Sequence, residues 1–217
     1  MKRQRGSHGI SQINFLSETV KALMEFTIPE IDASVLDMGC GKCFYGLLLR
    51  GYFDKRIYLE GVDINIEEPY ITIANAIYDK VTNHTSILDY EFTKKFDMVF
   101  INHVLEHLKL DDAVQFLRKL MDEDLTDSIL IGLPIPNNPD HVYKQDGSPD
   151  DHKWGLHNFP FNEFDFHKVK TKNKRPFLMV WSRNKAFMEK QAKNLIKLVD
   201  ASQVMGTIKK KAVVAKL

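Results

Sequence analysis

Along this 217-residue chain, short continuous apolar runs take turns with helical stripes. Ile13, Leu16, Val20 and Leu23 share one face of a stretch from Ile13 to Phe26, which predicts a helix ending before Pro29. Ser34 to Met38 predicts a short buried strand, followed by a glycine turn and a helix from Phe44 to Arg50. Arg56 to Ile64 predicts a second strand, Tyr70 to Tyr78 a helix, and Thr85 to Leu88 a third strand. In Phe96 to Asn102 the residues Met98, Val99, Phe100 and Ile101 are all apolar, the mark of a parallel strand covered on both faces. Asp111 to Leu125 predicts a helix: Asp111 and Asp112 suit its first turn, and Val114, Leu117 and Met121 form a stripe. Ser128 to Leu133 predicts a fifth strand. Phe177 to Ser182 predicts a last strand pairing near Lys168 to Thr171, and a helix from Lys185 to about Ala201 follows. No internal repeat is visible.

Strand–helix alternation of this kind predicts an open α/β sheet, mostly parallel, flanked by helices. In such sheets ligands bind outside the carboxyl ends of the strands, where the strand order reverses. That rule directs attention to Asp37 through Cys43, Asp63, Leu88 through Tyr90, and Asn102 through His107.

The segment Asp37-Met-Gly-Cys-Gly-Lys-Cys43 admits three readings. As a dinucleotide fingerprint it has Gly39 and Gly41 but Phe44 where the third glycine belongs. As a redox motif it offers Cys40-Gly-Lys-Cys43 between a strand and a helix, yet that explains none of the later strand ends. Taken with Asp63, which closes the next strand, it resembles the class I S-adenosylmethionine-dependent methyltransferases. The resemblance spans roughly 33–137. It implies a Rossmann-like three-layer sandwich with a mostly parallel sheet of about seven strands, helices on both faces, and S-adenosylmethionine as cofactor with S-adenosylhomocysteine as product. It places Asp37, Gly39, Cys40 and Gly41 at the methionine part, Asp63 on the ribose hydroxyls beside Ile64, Leu88 and Asp89 near adenine, and Asn102 and His103 at the fourth strand end. The physics agrees, because glycine lets backbone approach a ligand and a carboxylate accepts two hydroxyl protons. Non-catalytic cofactor binding and Cys-Xaa-Xaa-Cys redox chemistry remain the alternatives.

The acceptor half is less determined. Glu106, His107 and His152 are the candidate catalytic groups; imidazole is the side chain whose chemistry suits taking a proton from an acceptor hydroxyl. Glu106, His107 and His152, with His103 as a fourth group, are also of ligand type for a metal, although no metal is expected from ligand count alone. Glu106-His-Leu108 with Asp151-His-Lys-Trp154 is similar to the small-RNA 2′-O-methyltransferases, which hold a metal with Glu and His; His103 stands where those carry another Glu. Pro134 to Pro160 contains five of the eight prolines and overhangs the pocket as part of a lid spanning 134–164. Its Trp154, Phe159 and Phe161 can pack the lid or form a stacking wall for an acceptor ring.

Composition narrows the class. An apolar share of 44% and a charged share of 27% are globular, and no run of about 18 apolar residues occurs to span a membrane. The basic start lacks a signal peptide's apolar stretch, and only two cysteines are present, so a cytoplasmic protein without disulfides is expected. The net charge of +1 conceals a split: 16 Lys and Arg against 27 Asp and Glu through residue 167, then 14 against 2. Residues 1–183 are read as the catalytic domain and 184–217 as a basic helical extension. There Met188, Ala192, Leu195 and Val199 face one way and Lys190, Lys193 and Lys197 another. Such a tail either offsets the acidic body or meets an anionic partner, RNA among them. The reading is methyl transfer to a small-molecule or sugar-like acceptor, with RNA as the alternative and the oligomeric state open.

Overall fold

The computed structural model describes residues 33–53, 57–133, 152–154, 159–160, 163–170 and 176–185. The expected helices at 13–26 and 185–201, most of the 134–164 lid and the basic extension lie outside them.

Among the described residues seven strands form one sheet: β1 Ser34–Met38, β2 Tyr58–Val62, β3 Lys80–Thr82, β4 Phe96–Asn102, β5 Thr126–Gly132, β6 His167–Lys170 and β7 Pro176–Ser182. Their order is β3-β2-β1-β4-β5-β7-β6. The first five are parallel, and β7 runs antiparallel to both β5 and β6. Three helices, α1 Phe44–Phe53, α2 Glu68–Ile77 and α3 Leu110–Asp122, join the parallel strands.

Alternation along the strands builds two cores. Val35, Leu59, Met98, Phe100 and Leu130 point to one face and pack with Leu49 of α1 and Ala74 and Ile77 of α2. Leu36, Met38, Val99, Ile101 and Ile129 point to the other, against Phe116, Leu117 and Leu120 of α3. The result is the expected three-layer α/β sandwich. Burial of each such side chain is worth roughly 1.5–3 kcal/mol. Among the described residues no helix is long and apolar enough to cross a membrane.

Two expectations change. The third strand is Lys80–Thr82, not Thr85–Leu88. Residues 87–89 form a turn in which Leu88 N–H donates to Ser86 Oγ (3.2 Å) and Asp89 N–H to Ser86 O (3.0 Å), so buried Ile87 gave an apolar signal without a strand. On α3 the fully buried face is Ala113, Phe116, Leu117 and Leu120, with Val114 and Met121 only partly covered. That helix stops before Leu125 because Asp124 adopts φ 57°.

Strand order reverses between the parallel neighbours β1 and β4, whose following connections lead to opposite sides of the sheet. The turns after these two strands meet at the top. A Cβ added to Gly39 would overlap the Val104 side chain.

Candidate active site

The turn after β1 is tied to β2. Val62 O accepts from Gly39 N–H (2.7 Å) and Cys40 N–H (3.1 Å). Gly39 and Gly41 have φ of 83° and 45°, the left-handed region that glycine enters without a Cβ clash. Asp63, the residue after β2, completes the clamp: Oδ2 accepts from Gly41 N–H (2.8 Å) and Oδ1 from Asn65 N–H (2.7 Å). A carboxylate has about four acceptor directions, so both oxygens keep lone pairs for a ligand's hydroxyls. Beside it Ile64 is 64% exposed, an apolar surface with no partner in the core. Leu88 is half-buried and Asp89 exposed on the turn between β3 and β4.

Asp37 behaves differently from its neighbours. It is 2% exposed and turned under the glycine turn, where Tyr78 O–H donates to its Oδ2 at 2.6 Å. Burial is the main cause that lifts its carboxyl to about 7; the Tyr78 bond lowers it and the Asp63 charge raises it. The folded protein therefore holds more protons here than the unfolded chain between pH ~4 and ~7, so this group's stabilising contribution is present below that window and lost as pH rises through it. Asp37→Asn should match the wild type in urea unfolding near pH 4 and exceed it by about 2–4 kcal/mol at pH 8. A constant gap across that range would contradict the assignment.

Cys40 and Cys43 are both buried, free thiols. The contact with Cys43, then burial, then the Asp37 and Asp63 charges push the Cys40 thiol up, away from the thiolate that exchange chemistry needs. This weighs against the redox reading.

At the end of β4, Asn102 Nδ2–H donates to Tyr45 O–H (2.7 Å), while its buried Oδ1 has no hydrogen-bond partner. His103 follows with φ 55° and its N–H on Gly132 O (2.9 Å). A single 3-10 turn, Leu105–His107, then presents Glu106 and His107. Glu106 is 1% exposed, yet among the described residues neither carboxylate oxygen accepts a hydrogen bond, although His103 Nδ1 stands 3.3 Å from Oε1. His107 Nδ1 is likewise buried without a partner. His152 arrives from the loop: Lys153 N–H donates to Glu106 O (2.8 Å) and Trp154 Nε1–H to Leu108 O (3.1 Å). Its ring lies edge-on to His107 with centroids 4.8 Å apart. Glu106, His107 and His152 each offer an atom within 4.8 Å of the others.

A carboxylate buried without hydrogen bonds costs several kcal/mol when ionised, a cost that a bound cation could offset. Oxygen and imidazole donors suit a divalent transition metal. Trp154 and Phe159 do not form an acceptor wall; they are buried against each other (centroids 5.1 Å) within the second core. Phe161 lies outside the described residues.

Residues 36–122 match the family model described as a methyltransferase domain. This match, with the fold, supports a class I S-adenosylmethionine-dependent methyltransferase domain. No curated protein matches the sequence. Among solved structures, the methyltransferase domain resembles a putative O-methyltransferase from Nostoc punctiforme at 15% identity, covering 77% of this chain and 57% of that one, TM-score 0.53. It resembles the small RNA methyltransferase HEN1 at 17% identity, 78% and 25% coverage, TM-score 0.53. The methyltransferase domain of a bacterial Hen1, CtHen1-C, aligns at 18% identity, 78% and 96% coverage, TM-score 0.52. The chain thus spans a quarter of HEN1 and just over half of the Nostoc protein.

Sequence reasoning missed Tyr45 and Tyr78. Tyr45 bridges to β4 only through the fold. Tyr78 left one trace: Gly46 sits inside α1, where glycine costs up to about 1 kcal/mol against alanine, and a Cβ there would overlap the Tyr78 ring.

Proposed function

We propose that the domain moves the methyl group of S-adenosylmethionine to a hydroxyl of a sugar-like acceptor, beside a divalent cation held by Glu106, His107 and His152. The cofactor supplies an electrophilic methyl group, so the protein's task is alignment and management of one proton. Asp37, Gly39, Cys40, Gly41, Asp63, Ile64, Leu88, Asp89, Asn102 and His103 are assigned to the cofactor side. A cation at the three ligands would favour the ionised form of a nearby hydroxyl. The observation that carries the reading is the buried Glu106 carboxylate without a hydrogen bond, faced by two imidazoles.

A ribose hydroxyl of RNA is the second reading. It is favoured by the likeness to CtHen1-C and HEN1, and by the 14 Lys and Arg against two acidic residues after position 167. Activity on candidate acceptors should disappear in EDTA and return with Mn²⁺ or Co²⁺. Turnover that survives chelation would leave His107 or His152 as a simple general base instead. With an RNA acceptor, affinity should fall steeply as salt rises, and removal of 184–217 should flatten that slope; an unchanged slope argues for a small acceptor.

A further inference from the structure

Directly beneath the cofactor turn, the structure packs Tyr78 against Gly46 and Gly61, three residues that no mechanism above uses. Tyr78, the residue that ends α2, lies across the faces of α1 and β2 where each carries a glycine. A Cβ on Gly46 would overlap its hydroxyl, and one on Gly61 would stand 3.1 Å from its ring. The ring is 5% exposed, and its hydroxyl reaches Asp37 at 2.6 Å. Asp37 is the second-last residue of β1, so it stands two positions before Gly39. Two glycines therefore clear a channel whose use, in this fold, is to bring one phenol to one buried carboxylate.

We propose that Tyr78 is a positioning residue for the cofactor: through its hydrogen bond to Asp37 it holds a buried carboxylate ionised under the Gly39–Gly41 turn, which favours the ammonium group at the ligand's methionine end. This rests on the cofactor assignment of that turn.

Among the described residues, the groups that face Asp37 are Tyr78 from the end of α2, Cys40 from the turn and Asp63 from the end of β2. The Tyr78 hydroxyl is itself held well above its ordinary range by burial and then by the Asp37 charge, and Cys40 is pushed up too. The Asp37 carboxyl, lifted by burial to about 7, is thus poised near neutrality. Its ionised form accepts a charge-assisted bond from Tyr78 and places a negative charge under the ligand. By linkage, a ligand ammonium held near Asp37 lowers the carboxyl's proton affinity, so binding strengthens as pH rises through about 7. Removing the phenol hydroxyl deletes the bond that favours ionisation, so the same transition moves to higher pH.

The test is titration of full-length protein with S-adenosylhomocysteine between pH 6 and 9, comparing wild type, Tyr78→Phe and Asp37→Asn. Wild-type affinity should rise with pH. In Y78F it should be weaker by about tenfold or more at pH 7, with its midpoint moved upward. In D37N the transition should vanish while the protein stays folded. D37N keeps an acceptor for Tyr78, so it also carries the test if Y78F does not fold. Unchanged affinity in Y78F, a weaker affinity with an unmoved midpoint, or a transition that survives in D37N would overturn the proposal. A folded wild type that binds no S-adenosylhomocysteine would instead overturn the cofactor assignment and this inference with it.

Discussion

Replacing Asp63 with alanine should weaken S-adenosylhomocysteine binding by about two to four orders of magnitude. A hydrogen bond to a charged group is worth roughly 1.5–3 kcal/mol, and this carboxylate is assigned two ribose hydroxyls. The structure adds a second cost. Asp63 also holds Gly41 N–H and Asn65 N–H, so its removal loosens the turn that faces the methionine part. Both losses act on one ligand, and they should not be additive because the two groups touch. Asp63→Asn keeps the shape and one acceptor oxygen, and should fall between wild type and alanine. Isothermal titration measures the affinities, and a urea curve at the same pH shows that each variant is folded. Equal affinities in all three proteins would remove Asp63 from the site.

Glu106→Gln should leave S-adenosylhomocysteine affinity within about threefold of wild type and lower turnover by about 10²–10⁴-fold. The separation follows from position. Glu106 sits on the turn after β4, among His103, His107 and His152, while the turn after β1 is held from β2. The same substitution replaces a buried carboxylate that has no hydrogen bond, so in EDTA the variant should be the more stable protein by about 1–3 kcal/mol. Added Mn²⁺ should then raise the wild-type melting temperature and not that of the variant; a saturating ion at 100 times its dissociation constant is worth about 2.7 kcal/mol. A variant that loses cofactor affinity and activity together would place Glu106 in the cofactor's own site.

The two predictions concern residues of unequal legibility. Asp63 was readable because it ends an apolar strand and is followed by turn residues, and because the rule for parallel sheets puts ligands there. The central strands were readable for the same reason: Phe96 to Asn102 is nearly all apolar, and its burial on both faces leaves no other arrangement. Lys80–Thr82 was not, since an edge strand of three residues needs only one partner and carries almost no pattern. Glu106, His107 and His152 were visible as residue types, but their convergence depends on two hydrogen bonds that strap 153–154 to the turn after β4. The direction of Asp37 was invisible. Motif order aligned it with the ligand, whereas strand alternation turns its side chain toward Tyr78, forty-one residues on. Trp154 and Phe159 show the opposite lesson, for aromatic residues in a chemically rich loop were used to bury the loop itself.

The claim on which the rest depends is that the turn of Gly39–Gly41 and the carboxylate of Asp63 grip one adenosyl ligand. Calorimetric titration of S-adenosylhomocysteine into folded wild-type protein at pH 8 is the most direct measurement of it. One site should appear, with heat that vanishes in Asp63→Ala. Absence of binding by both this compound and S-adenosylmethionine, in protein whose urea curve shows a cooperative fold, would contradict the account.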